Sequence, residues 1–115
     1  YNQVEFPVVG NRAARVLAEW GGLCWPVQGH LWASDSLRCA EPVHIESAPS
    51  TGEMLARYNH YVYQIRELRD NIGLSAAVYS QLTDVEREAT GWLTYDRAMT
   101  KAAPEQVRAI HSLLH

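Results

Sequence analysis

The sequence predicts an α/β fold built on one βαβ unit, and three stretches carry that prediction. Val16, Leu17 and Ala18 form a short apolar run that meets Glu19 and then the pair Gly21-Gly22. A buried parallel strand ends in this way, because its run is apolar on both faces and glycines let the backbone turn without a Cβ clash. Met54, Leu55, Tyr58, Tyr61, Val62, Ile65, Leu68 and Ile72 recur at helical intervals, which predicts a helix over residues 51–72. The run Leu-Ser-Ala-Ala-Val-Tyr-Ser-Gln over residues 74–81 reads as a second short strand, with small residues where a helix packs closely. A strand, a helix and a strand in this order form parallel neighbours joined by a right-handed crossover.

A chain of 115 residues, 47% hydrophobic, has material for one modest core, so one domain or part of one is expected. The formal charge of -3 and the scatter of the Lys and Arg residues provide no broad positive field. Nucleic acid and an anionic membrane are therefore not expected as partners. No apolar run approaches the ~20 residues of a spanning helix, and the first residues do not read as a signal peptide. Neither observation fixes a compartment, since a mature or truncated chain loses its leader.

In chain order, residues 1–11 hold Pro7 and Gly10 without sustained periodicity and read as an irregular approach to the first strand, placed at residues 14–19. Residues 20–50 carry Pro26, Gly29, Pro42, Pro49 and the tryptophans Trp20, Trp25 and Trp32, and read as one long loop. Connections of that length are usually functional. The tryptophans are either a binding wall or the loop's own packing core. Ser50 and Glu53 stand at capping-box spacing before the helix, Glu53 and Arg57 are a favourable pair four apart, and Gly73 is placed to end it. Arg66, Glu67, Arg69 and Asp70 read as a solvated face. Residues 82–103 form a second loop rich in acids and hydroxyls, and Pro104 opens a last helix over residues 104–115 with Val107, Ile110, Leu113 and Leu114 on one face.

Cys24 and Cys39 are expected as two free thiols. Cys24, His30, Cys39 and His44 interleave, but no two have the close spacing of a zinc site, and no metal is assigned. His111 and His115 lie four apart on the last helix without an identifiable third ligand, and read as surface histidines.

Two blocks together resemble the end of the catalytic barrel of glycoside hydrolase family two, which includes β-galactosidases, β-glucuronidases and β-mannosidases. The first runs Leu17-Ala18-Glu19-Trp20-Gly21-Gly22-Leu23-Cys24-Trp25-Pro26-Val27-Gln28-Gly29-His30-Leu31-Trp32. The second comprises Gly73-Leu74-Ser75-Ala76-Ala77-Val78-Tyr79-Ser80-Gln81-Leu82-Thr83-Asp84-Val85-Glu86 and Gly91-Trp92-Leu93-Thr94-Tyr95-Asp96-Arg97. The resemblance covers residues 14–115 and implies a C-terminal βαβα fragment of a (β/α)8 TIM barrel, its strands the seventh and eighth. In that family the glutamate ending the seventh strand, before an aromatic residue, is the nucleophile. Glu19 followed by Trp20 matches it, and Glu19 would attack the anomeric carbon to give a glycosyl ester that water releases with retention. The eighth strand of the family usually carries an aromatic ring, often tryptophan, under the sugar, and Tyr79 stands in that place. Asp84 matches an acidic position after the strand that accepts from sugar hydroxyls, and His30 and Trp32 match a loop skirting the site.

One departure limits what this chain does alone. Retaining hydrolysis needs a second carboxylic acid about 5–5.5 Å from the first. In this family that acid follows an asparagine, and no Asn-Glu dipeptide occurs here. A complete barrel takes about 200–250 residues, so the proton donor is expected upstream of Tyr1, and the isolated chain is expected to be inactive. No cofactor is implied. A two-strand piece leaves sheet edges uncovered, so self-association or pairing with the missing part of the barrel is expected. The rival readings are a non-catalytic carbohydrate-binding or assembly module that kept barrel sequence, and an unrelated small α/β interaction domain.

Overall fold

The computed structural model describes residues 13–33, 39 and 45–115. The irregular approach expected over residues 1–11, part of the long loop, and His44 lie outside the described residues. What is described is a small α/β unit: strand β1 (Arg15–Gly21), short strands β2 (Leu23–Cys24) and β3 (Glu46–Ser47), helix α1 (Thr51–Ile72), strand β4 (Leu74–Ser80) and helix α2 (Pro104–His111). A 3-10 turn over Ser112–Leu114 follows α2 and takes the last part of the helix expected over 104–115.

β1 and β4 pair in parallel with α1 between them in sequence. The pairing is not regular. Leu17 lies opposite Ala77 and Trp20 opposite Tyr79, so three steps on β1 face two on β4. A bulge of this kind breaks the alternation of faces. It puts both Leu17 and Trp20 against α1, where they share a groove with Tyr61, Ile65 and Leu68, and leaves Ala18 and Glu19 exposed between them.

α1 forms where its pattern placed it, because Met54, Tyr58, Val62 and Ile65 fall on one stripe and are buried. The Ser50 side chain accepts from the Glu53 backbone N–H at 3.2 Å, and Gly73, with φ of 69°, returns its N–H to the Arg69 and Leu68 carbonyls. Arg57 pairs with Glu46 of β3, and Tyr61 donates to the same carboxylate at 2.5 Å. Trp20, Leu23, Ala48, Met54, Tyr58, Val62, Ile65 and Leu74 make the core, against which Val107, Ile110, Leu113 and Leu114 pack. Arg69, expected on a solvated face, donates to the Leu114 carbonyl at 2.6 Å and ties down the C-terminal turn. His111, expected as a surface histidine, shares a 2.8 Å hydrogen bond with the Tyr58 hydroxyl, whose pKa burial pushes up to about 12.

Two expectations about residues 20–50 are corrected. The segment is not one structureless loop: Trp20 and Gly21 complete β1, and β2 and β3 pair in parallel, with Glu46 N–H donating to the Gly22 carbonyl and Ala48 N–H to the Cys24 carbonyl. A pairing two residues long is too short to leave a hydrophobic period in the sequence. The cysteines are not free thiols either. Cys24 and Cys39 form a disulfide, because the loop folds back until their Cα atoms are 5.7 Å apart.

Candidate functional site

Parallel pairing sends both long connections out from the same end of the sheet. The segment after β1 and the segment after β4 leave from the carboxyl ends of neighbouring strands, and Glu19 stands in the last turn of pleat before that end. Loop chemistry in α/β folds gathers at this end. Gly21 secures the turn: its φ is 110°, and a Cβ there would meet Tyr79 Cε2 at 2.7 Å and the Ser80 carbonyl at 2.8 Å.

Glu19 is exposed, and no hydrogen bond or ion pair holds it among the described residues. Tyr79 is half-buried and belongs to an aromatic cluster on the α1 side of the sheet. Its ring lies edge-on to Trp20 at 4.9 Å and to Tyr58 at 5.6 Å, and is stacked on Trp92 at 5.6 Å. Trp20 in turn stacks on Tyr58 at 5.4 Å. The structure therefore gives Tyr79 a bracing contact with Trp20, the residue after Glu19.

Asp84 is 4% exposed and Lys101 only 1%. Asp84 Oδ1 accepts from Lys101 Nζ at 2.7 Å and from the Gly91 N–H at 2.7 Å, while Lys101 also donates to the Ala89 carbonyl at 2.8 Å. Burial raises the Asp84 pKa against the pull of Lys101 and the Gly91 N–H, and burial lowers that of Lys101 against the pull of Asp84. Asp84 Oδ2 is buried without a hydrogen-bond partner among the described residues. The carboxylate expected at a sugar hydroxyl is thus occupied in holding its own loop. Gly91 is required there, since a Cβ would run into the backbone of Thr83 and Asp84.

His30 and Trp32 are brought together with residues of the second loop. His30 Nδ1 and Asp96 Oδ2 are 2.8 Å apart, and the rings of Trp32 and Tyr95 lie 6.4 Å apart at 59°. Asp96 is fixed from below by the Thr94 hydroxyl at 2.7 Å and the Ala98 N–H at 3.0 Å. These two donors, with His30 as the third, pull its pKa down to about 2. Of the three tryptophans, Trp20 is buried in the core, Trp25 packs against it, and Trp32 is 47% exposed.

Trp92, Tyr95, Asp96 and Lys101 were not singled out from the residues themselves. Tyr95 and Asp96 belong to the block that carries the resemblance, but their partners are more than sixty positions away. Lys101 offers no local signal at all. Among the described residues no group of three or more His, Cys, Asp and Glu side chains is arranged to hold a metal ion, and no helix is long and apolar enough to cross a membrane. Comparison with protein-family models gives no match, and comparison with curated proteins gives none either.

Proposed function

We propose that this chain is the nucleophile-bearing C-terminal part of a retaining β-glycoside hydrolase, its strands β1 and β4 being the seventh and eighth of a (β/α)8 barrel. The observation that carries the reading is the position of Glu19: an exposed carboxylate at the carboxyl end of a parallel strand, at the root of two long loops. In this reading the Glu19 carboxylate is the nucleophile. It attacks the anomeric carbon as the leaving oxygen takes a proton from a second acid, and water then hydrolyses the ester.

Surfaces left open on both sides of the sheet support the same reading. Val16 and Val78 are 48% and 54% exposed on neighbouring strands, and an open groove of about 400 Å³ runs along β1 and α1. Such surfaces suit further strands and helices of a barrel. In this reading Tyr79 and Asp84 act by bracing the site, and His30 and Trp32 contact sugar. The second acid lies outside these 115 residues, and no cofactor takes part.

A 2-deoxy-2-fluoro β-glycosyl fluoride, incubated with the longest protein that carries this chain, tests the assignment. Mass spectrometry should find the glycosyl ester on the peptide containing Glu19, and the Glu19→Gln variant should carry none; a label on another acid overturns it. The 115-residue chain alone should not turn over aryl β-glycosides. Turnover by it that disappears in Glu19→Gln would sink the fragment reading. Light scattering should show this chain associating as its concentration rises, and a monomer at every concentration counts against the exposed barrel face.

A further inference from the structure

The long loops are stitched together in two different ways. Deep down, Trp25 N–H donates to the Ala89 carbonyl at 2.9 Å and belongs to the packed interior. At the surface, the contacts between His30 and Asp96 and between Trp32 and Tyr95 join the loops again. Trp32 remains 47% exposed and Tyr95 41%. Two large rings from separate loops are thus held side by side where a hydrogen-bonded pair also joins those loops, yet neither ring is used in the core. Their planes meet at 59°, which makes a shallow V rather than a closed stack.

We propose that Trp32 and Tyr95 form a carbohydrate-binding cleft in which pyranose rings rest their C–H faces on the two aromatic walls. The polar fringe matches the rim of a sugar: Asp96 and the Tyr95 hydroxyl accept hydrogen bonds from sugar hydroxyls, and the same hydroxyl donates. The pair of His30 and Asp96 sets the angle between the loops, since Asp96 is itself locked by Thr94 and Ala98. A site held from beneath in this way is preorganised. Both loops leave from the carboxyl end of the sheet, near which Glu19 stands, so in this proposal the rings grip units of a β-linked chain beyond the sugar that reacts. The choice of ligand rests on the glycosidase reading, whereas the cleft itself rests only on the exposed, braced ring pair.

Calorimetric titration of the 115-residue chain with cellohexaose, mannohexaose and xylohexaose tests the cleft. At least one of the three should bind. Trp32→Ala should weaken that binding about tenfold or more and Tyr95→Ala several-fold, while Tyr95→Phe retains most of it. Tyr63→Ala, which removes an exposed ring from α1, serves as the control and should bind as the parent does. Binding that survives Trp32→Ala, or no binding of any of the three, overturns the cleft. The labelling of Glu19 decides the catalytic reading separately: a labelled Glu19 with no cleft leaves the nucleophile standing. A cleft with no label on any acid makes the chain a carbohydrate-binding module.

Discussion

Asp84 and Asp96 lie twelve positions apart in the same loop, and each meets a basic side chain at hydrogen-bond distance, yet their surroundings oppose each other. Asp84 and Lys101 are sealed from water, and burial raises the pKa of the acid and lowers that of the base. Asp96 is open to solvent, and its donors pull its pKa down to about 2. The same pair chemistry therefore makes a sealed strut in one place and a solvent-exposed clasp in the other. Solvent decides between them, because removing one partner from a buried pair strands a charge, whereas an exposed partner returns to water.

The largest effect that this contrast predicts is at Lys101. Lys101→Ala should cost about 3–5 kcal/mol in urea unfolding, since it leaves Asp84 buried without a counter-charge. The double variant Asp84→Leu with Lys101→Met should regain most of that loss; if it is as unstable as the single one, the strut is not electrostatic. Next comes Gly91→Ala, expected to cost about 1–3 kcal/mol by forcing the Thr83 and Asp84 backbone aside, and measured in the same way. His30→Ala should move the unfolding midpoint least and still speed amide exchange in residues 94–98. A midpoint shift as large as that of Lys101→Ala would abolish the distinction between strut and clasp.

The acid titration sharpens the contrast further. For Asp96 the folded pKa lies below the ordinary 3.8, so its contribution to stability is fully present above that value and is lost as the pH falls through about 2. Asp84 has the opposite sign: between 3.8 and its raised value the folded chain holds the proton that the unfolded chain has released. Stability falls as the pH rises through that window. Urea midpoints of the parent and Asp96→Asn should therefore converge below about pH 2 and separate above it. A gap independent of pH would show that the carboxylate plays no part.

The elements that local pattern determines were legible. α1 was readable to its ends because Ser50, the buried stripe and Gly73 all speak within one helix. β1 and β4 were readable as an apolar run and a small-residue run on either side of it. What stayed hidden depends on chain segments meeting at a distance. Cys24 and Cys39 give no spacing signal of their own, and Asp84 looks like any acid in a polar loop until Lys101 arrives from seventeen residues away. For the candidate site, Glu19 was located by the strand end. Tyr95 and Asp96, by contrast, acquire meaning only when the second loop folds across to His30 and Trp32. The bulge between Leu17 and Trp20 was equally invisible, since nothing in those four residues announces which of them lies opposite Ala77.

The bond between Cys24 and Cys39 makes the first loop a closed covalent ring of chain. A protease that cuts anywhere between residues 25 and 38 opens that ring without parting the molecule in two. The nicked protein keeps its mobility on a gel run without thiol and separates into two pieces once dithiothreitol is added. Limited digestion can thus sever the backbone beside Trp32 while both flanks stay anchored.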